Sequence, residues 1–286
     1  MSHSINDECL ILKDVSIDRL LDNGDSSPRL HQINLVLAPG EWLNVAGVNG
    51  SGKSSLARLL AGLTIEGVQG SWSRGFAGNK PSPYVMQQPD AQLFAETPRE
   101  EIRFALEWRG MPPHEIRQQT EEILTFTGLS AIGDAPWSHL SGGQRQLTAV
   151  AAASAGETPL LIFDEATSML DEQSMVLVHE LAKKLHRRGT AIVWVTQRLQ
   201  EIESAARTVA MMDGSIVFDG KGGEFLYGAA GQVNYGPTPC QTCGLRLPYL
   251  SALALELGRL GKLQPPYPET MEEWDQALAQ IEVVPR

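Results

Sequence analysis

The run Gly47-Val48-Asn49-Gly50-Ser51-Gly52-Lys53-Ser54 constrains this chain more than any other feature. It satisfies G-x-x-x-x-G-K-[ST] and lies between a strand-like segment, residues 42–46, and the helical spacing Leu56, Leu59, Leu60 and Leu63, the context in which this motif cradles phosphate. Glycines let backbone N–H groups turn inward around a β-phosphate with no Cβ in the way, and the helix N-terminus adds a favourable dipole. Lys53 is expected to charge-pair with the β- and γ-phosphates, Ser54 to place its hydroxyl on Mg²⁺, and Ser55 to donate to the α-phosphate. A glycine turn that merely joined a strand to a helix would need neither the lysine nor the hydroxyl. The implied ligand is a nucleoside triphosphate with Mg²⁺.

The rest of the chain reads as α/β. Residues 10–12, 33–37 and 42–46 are strand-like, with turn signals at Asn23-Gly24 and Pro39-Gly40, so the entry is β-rich. From 98 to 128 helical spacing dominates, with Ile102, Ala105 and Leu106 on one face and Ile116, Ile123 and Leu124 on another. Strand signals return at 160–163, 191–195, 209–212 and 215–218, around a helix whose apolar face is Met175, Val178, Leu181 and Leu185. Strands alternating with helices predict a largely parallel sheet with helices on both faces. Residues 229–247 are rich in Gly, Pro and polar side chains and read as a linker, followed by short amphipathic helices at about 248–260 and 269–282.

At 286 residues, 42% hydrophobic and 20% charged, the chain has the balance of a folded globular protein. A formal charge of -11 argues against broad attraction to nucleic acid, and no nucleic-acid partner is expected. No apolar run approaches the roughly 18 to 20 residues that span a bilayer, and the first residues lack the pattern of a secretory signal. Cys9, Cys240 and Cys243 fit a reducing compartment; Cys240-x-x-Cys243 has no second pair to complete a zinc set and reads as two reduced thiols.

A second set of motifs narrows the chemistry. Residues 160–163 are an apolar strand ending in Asp164 and Glu165, which places two carboxylates at a sheet edge where ligands of such folds bind. Asp164 suits Mg²⁺, and Glu165 suits a general base acting on water. Upstream, Leu140-Ser141-Gly142-Gly143-Gln144 opens a helix and offers a hydroxyl and glycine amides, a second anion-binding device. Two such devices for one nucleotide are reconciled if the second reaches a partner subunit's ATP.

With these motifs in order, residues 8–228 resemble the ATP-binding-cassette (ABC) ATPases. The resemblance implies a P-loop NTPase fold with an antiparallel β subdomain, an inserted helical subdomain at about 97–156 and, here, a helical appendage at 248–286. It further implies that two cassettes pair head to tail, so that Ser141, Gly142, Gly143 and Gln144 close on the partner's ATP. Ser168-Met169-Leu170-Asp171 resembles the D-loop that crosses that interface. Gln87 resembles the Q-loop glutamine that contacts Mg²⁺ and water and reports to a membrane partner.

The segment Gln87-Gln88-Pro89-Asp90-Ala91-Gln92-Leu93-Phe94 is similar to Q-N-P-D-x-Q-[IL]-F of the energy-coupling-factor (ECF) ATPases, with Gln88 in place of Asn. Gly244-Leu245-x-Leu247-Pro248 and the following helix are similar to the tail that helps hold those dimers together. The resemblance implies an ATP-hydrolysing importer subunit for a vitamin or metal ion, peripheral on the cytoplasmic face of the membrane. It would work with a second cassette, a membrane scaffold and a substrate-binding membrane subunit. Asp90, Glu96, Glu100 and Glu101 are candidates to meet arginine-bearing coupling helices of the scaffold, although Glu100 and Glu101 also complement the helix dipole after Pro98. Alternatives are an ATPase of a conventional ABC importer, a soluble ABC protein acting on ribosomes or DNA, and a regulatory ATP-binding protein with weak hydrolysis.

Two positions depart from the family pattern. Gln197 stands where most ABC ATPases place a histidine that contacts the γ-phosphate; an amide can bond phosphate but cannot become a cation. Arg19 stands near the aromatic that stacks on adenine, and a guanidinium can stack on a base face. Both fall on one nucleotide site while the signature offered to the partner is intact. A heterodimer with unequal sites is therefore favoured, with a homodimer the alternative.

Overall fold

Apolar side chains alternate along the first strands, with Leu10, Leu12, Val15 and Ile17 facing Leu30, Ile33, Leu35 and Leu37, all buried. They form an antiparallel pair, β1 (Leu10–Leu20) and β2 (Ser26–Leu37), in a computed structural model that describes residues 8–20, 26–156, 158–229 and 231–280. Register shifts absorb Asp14 and Gln32, both at positive φ, and Asn34 steadies the first of them by donating to the Asp14 carboxylate at 2.9 Å. The turn signal Asn23-Gly24 lies outside the described residues. β3 (Trp42–Ala46) is buried throughout and leads into the phosphate loop. β4 (Val68–Ser73) pairs with the other edge of β1. Composition did not announce it, because its residues are mostly exposed and polar.

The described residues fall into two compact units, one drawn from Met1–Trp42 and Ser54–Val195, the other from Leu43–Lys53 and Thr196–Arg286. In the first, β5 (Tyr84–Val85), β6 (Leu160–Asp164) and β7 (Ala191–Thr196) run parallel, with Tyr84 opposite Ile162 and Phe163 opposite Trp194. The uninterrupted apolar character of β6 and β7 is that of strands covered on both faces. α1 (Lys53–Ala61) follows the loop. α2 (Pro98–Trp108), α3 (Pro113–Thr127) and α4 (Gly142–Ala153) share a cluster around Ile102, Leu106, Leu124 and Ala151. α5 (Glu172–Arg187) buries Val178, Leu181, Ala182 and Leu185, spaced as a helix face requires.

In the second unit β3 lies parallel to β8 (Arg207–Met212), which pairs antiparallel with β9 (Ser215–Lys221). α6 (Gly222–Tyr227) follows, then α7 (Pro239–Thr242), α8 (Tyr249–Arg259) and α9 (Met271–Gln280). The stretch read as a linker holds α7, whose Cys240 and Cys243 join the core formed by Ala46, Ala210, Phe225 and Leu226. Composition concealed this because the apolar contribution comes from two small thiols, which pack as hydrophobes. A separate cluster of Ala254, Leu255, Tyr267 and Trp274 holds α8 and α9.

All three cysteines are free and buried, and burial pushes the Cys240 and Cys243 thiols above their ordinary range. Both therefore stay protonated at neutral pH, where the reactive thiolate is scarce. A water-soluble thiol reagent should label Cys240 and Cys243 negligibly in the native protein and fully after denaturation, as followed by mass spectrometry. Rapid native labelling would show that α7 leaves the core.

Candidate nucleotide site

The phosphate loop is shaped by its glycines. Gly47, Gly50 and Gly52 have φ of 152°, 82° and 103°, values that other residues reach only with strain. A Cβ on Gly47 would sit 2.5 Å from both the Met211 carbonyl oxygen and Ser51 Oγ, so the loop closes only without a side chain there. Ser51 N–H donates to the Val48 carbonyl at 3.2 Å, and the Ser51 carbonyl accepts from Gly214 N–H at 3.0 Å, pinning the loop to the turn between β8 and β9. Lys53 is 4% exposed and its Nζ donates across the loop to the Val48 carbonyl at 3.0 Å. Ser51 Oγ is buried with no hydrogen-bond partner among the described residues, a polar atom that an anion in the loop would satisfy. Asn49 and Gly50 are exposed, and α1 begins at Lys53 with its first amides free of intrahelical bonds.

The boundary between the units falls between Lys53 and Ser54, and Ser54, Ser55, Gln87, Asp164, Glu165 and Ser141 to Gln144 lie in the first unit. Ser54 Oγ donates to Asp164 Oδ1 at 3.1 Å, so the two hard oxygens proposed for a cation stand side by side at the start of α1 and the end of β6. The other carboxylate oxygen, Oδ2, accepts from the Tyr84 hydroxyl at 2.6 Å. Burial and the Asp164 carboxylate push the Tyr84 hydroxyl far above its ordinary range, so it remains a donor. Ser55 is half-buried on α1.

Glu165 takes φ of 50°, the left-handed region, at the strand's end. Such a conformation costs a non-glycine residue about 1 kcal/mol, and it is held by bonds on both sides. Glu165 N–H donates to the Val195 carbonyl at 3.0 Å, while the Glu165 carbonyl accepts from Ser168 N–H at 3.0 Å and Ser168 Oγ at 2.8 Å. The turn thus sends the Glu165 side chain away from the strand's alternation.

Ser141 caps α4 in a reciprocal box: its Oγ accepts from Gln144 N–H at 3.2 Å, and its own N–H donates to Gln144 Oε1 at 2.9 Å. Ser141 and Gly142 are exposed, and a Cβ on Gly142 would meet nothing within 4 Å. Gly143 is different. A Cβ there would lie 2.0 Å from Ser174 Oγ, so the start of α4 packs directly on the start of α5. Asp171 caps α5, accepting from Ser174 N–H at 2.9 Å and Ser174 Oγ at 2.8 Å, and these donors hold its carboxyl below the usual range. The signature-like turn and the D-loop-like turn are therefore neighbours, joined through Ser174.

Gln87 is exposed just beyond β5. The segment around it is tied to α4 twice: Gln146 Nε2 donates to the Met86 carbonyl at 2.9 Å, and Arg145 Nη1 donates to Asp90 Oδ1 at 3.0 Å. Asp90 is thus engaged within the chain, which the sequence did not disclose. Glu101 corrects its expected role outright: it is 4% exposed, and its Oε2 accepts from Phe94 N–H and Ala95 N–H at 2.8 Å each. Of the four acids, Glu96 and Glu100 are exposed and make no ion pair among the described residues. Beside them Phe94 (77% exposed), Phe104 and Trp108 (82% exposed) form an aromatic row, with ring centroids 6.1 and 6.2 Å apart, along a groove of about 1270 Å³ that also includes Pro83 and Met111.

Gln197 is half-buried in the second unit, directly after β7. The chain there is fixed by Thr196 Oγ1, which donates to Glu201 Oε2 at 2.7 Å and accepts from Arg198 N–H at 2.9 Å. Arg19 lies on β1 opposite Ser27, and its side chain is outside what the structure describes.

The family described as ABC transporter matches residues 30–168. An energy-coupling factor transporter ATP-binding protein of Halalkalibacterium halodurans is 34% identical over 220 residues, 74% of this chain and 78% of the relative. Another of Methanosarcina acetivorans is 38% identical over 205 residues, 68% of this chain and 75% of the relative. Among solved structures, cbiO1 from Clostridium perfringens, described as part of the ABC transporter complex cbiONQ, superposes with a TM-score of 0.64 at 25% identity. It covers 75% of this chain and 89% of its own.

The buried Glu101 carboxylate yields a stability test. Glu101→Ala leaves the Phe94 and Ala95 amides without their acceptor and should lower unfolding free energy by about 2 kcal/mol. Glu100→Ala, at an exposed position, should change it by less than about 0.5 kcal/mol. Denaturant titration of both variants checks the contrast; equal effects would mean that Glu101 is not the acceptor.

Proposed function

The chain belongs to the ABC transporter family of ATPases and is of the ECF type, and from that premise we propose that it drives an importer of a vitamin or metal ion by closing on ATP as one half of a cassette dimer. As a family member it binds ATP and couples its hydrolysis to transport. One observation carries the proposal for the site: Lys53 and Ser54 follow a glycine-shaped loop, and the Ser54 hydroxyl stands 3.1 Å from Asp164.

The residues divide the work as follows. Loop amides from Gly47 to Ser54 bind the β-phosphate region, Lys53 exchanges its Val48 carbonyl for phosphate oxygens, and Ser55 donates to the α-phosphate. Ser51 Oγ gains the partner it lacks. Ser54, Asp164 and Gln87 are the side chains that hold Mg²⁺, a fit supported by the adjacent hard oxygens of the first two. The bound ion would supply positive charge to the β- and γ-phosphate oxygens. Glu165 accepts the proton of the attacking water, and its constrained backbone limits where the carboxylate can go. Gln197 bonds the γ-phosphate through its amide, and Arg19 stacks on adenine.

Ser141, Gly142, Gly143 and Gln144 close on the partner cassette's ATP, with Asp171 crossing the interface. The exposure of Ser141 and Gly142 supports this, as does the packing that joins both turns through Ser174. We assign the partner a histidine at the position of Gln197, making the pair a heterodimer with one fast site and one slow.

No helix among the described residues is long and apolar enough to cross a membrane, and the protein is proposed to sit peripherally on the cytoplasmic face. The groove lined by Phe94, Phe104 and Trp108 receives a coupling helix of a membrane scaffold subunit, which in turn holds a substrate-binding membrane subunit. Arginines of such a helix find π faces at Phe94 and Trp108 as well as the Glu96 and Glu100 carboxylates. Motion of that helix reaches the signature turn through the Asp90–Arg145 and Met86–Gln146 bonds.

Glu165→Gln should retain ATP binding, hold the dimer closed on size exclusion and reduce turnover by roughly a hundredfold or more. Gln197→His should raise turnover severalfold in a self-assembled pair. Normal turnover in the Glu165→Gln protein would remove Glu165 from the role of base, and an unchanged rate in Gln197→His would remove the unequal-site reading. Trp108→Asp should abolish assembly with the membrane scaffold while leaving ATP affinity within about twofold, since its ring is largely exposed and lies next to Phe104 in the groove.

A further inference from the structure

Tyr84 stands outside the phosphate-site motifs, yet it makes the shortest bond to the Asp164 carboxylate among the described residues. We propose that Tyr84 is a positioning residue for the cation site, holding Asp164 through Oδ2 so that Oδ1 faces Ser54. The inference rests on the reading of Ser54 and Asp164 as cation ligands.

Four observations support it. The 2.6 Å separation between the Tyr84 hydroxyl and Oδ2 is that of a charge-assisted O–H···O⁻ bond, stronger than a neutral one. Tyr84 is itself fixed by backbone: it pairs with Ile162 on β6, the strand that carries Asp164, and just before it in the chain the Pro83 carbonyl accepts from Ile162 N–H at 3.1 Å and Ser82 N–H donates to the Ala61 carbonyl at 2.7 Å. The hydroxyl is therefore referenced both to β6 and to the end of α1, the two elements that bear the cation ligands. Third, the positive charge of Arg58 acts on the same hydroxyl, opposing the larger upward effects of burial and Asp164. Arg58 is one turn beyond Ser54 on α1 and so on the same face. A guanidinium only donates, so it favours the arrangement in which the phenol presents its lone pairs to Arg58 and its proton to Asp164.

The last observation is the division of the carboxylate. Ser54 and Tyr84 occupy different oxygens. A cation held between Ser54 and Oδ1 would compete for the oxygen that now accepts the Ser54 hydroxyl, and that restraint on Asp164 would loosen. The Tyr84 bond competes for neither Oδ1 nor the Ser54 hydroxyl, so it keeps the carboxylate plane in place through that exchange. Groups that orient a ligand in this way commonly matter to metal affinity by tenfold or more.

Tyr84→Phe removes the hydroxyl and keeps the ring. The test measures ATP affinity of the full chain by calorimetry, first in EDTA and then across a Mg²⁺ titration, in four proteins: wild type, Tyr84→Phe, Asp164→Asn and the double variant. The expected result is unchanged affinity in EDTA for Tyr84→Phe, a half-saturating Mg²⁺ concentration raised roughly tenfold, and less than about a twofold further change when Tyr84→Phe is added to Asp164→Asn. A Mg²⁺ midpoint equal to wild type overturns the proposal. A parallel loss of affinity in EDTA also overturns it, because a merely structural role would weaken both. If wild type gains nothing from Mg²⁺, the cation-site reading itself fails and takes the proposal with it.

Discussion

Two hydrogen bonds to one carboxylate bring the ends of three elements together. Asp164 closes a buried strand, and its oxygens accept hydrogen bonds from Ser54 at the head of α1 and from Tyr84 on the neighbouring strand. A half-buried carboxylate gains from such partners, because hydrogen bonds to a charged oxygen are stronger than neutral ones. Its partners are the residues that the chemistry requires nearby. The demand for satisfaction and the demand for a preorganised cation site are thus met by the same contacts, and the apolar run of β6 behind Asp164 leaves the strand no freedom to slide.

A second set of contacts converts this local order into a path through the first unit. β5 delivers Tyr84 to Asp164 and, a few residues on, delivers Gln87 to the surface. The Met86 carbonyl and the Asp90 carboxylate then hold the next stretch to Gln146 and Arg145 on α4, whose first turn is the serine-glycine signature. That turn rests on Ser174 at the head of α5, beside the cap residue Asp171. In the proposed mechanism a push on the aromatic groove would pass along these hydrogen bonds to α4. The proposed coupling between a membrane helix and a partner's nucleotide has this physical route within one chain.

Some of this was legible in sequence for definite reasons. The phosphate loop declares itself because Gly47 lies too close to Met211 and Ser51 for any side chain, a constraint that leaves a fixed spacing in the chain. Asp164 and Glu165 stand out because acids after a wholly apolar strand mark where it leaves the core. The helix start at Ser141 to Gln144 was legible from its serine and glycines, whereas the reciprocal cap between Ser141 and Gln144 appeared only in the structure. Other features depend on tertiary neighbours and left no local trace. Glu101 looks like any acid in a helix's first turn until Phe94 and Ala95 fold back onto it. Tyr84 reads as a strand aromatic until Asp164 arrives beside it. β4 pairs through its backbone with little apolar alternation, and α7 buries cysteines in a stretch whose composition is that of a linker.

The account's central claim is that this cassette works with membrane partners and a second, unlike cassette. The most direct measurement is purification of the tagged protein from gently solubilised native membranes, followed by mass determination of the intact complex and identification of its chains. The account predicts a multi-helix membrane protein together with a second cassette that carries histidine where this chain has Gln197. Recovery with soluble ribosomal or DNA-associated partners alone would contradict the transport assignment while leaving the nucleotide chemistry in place.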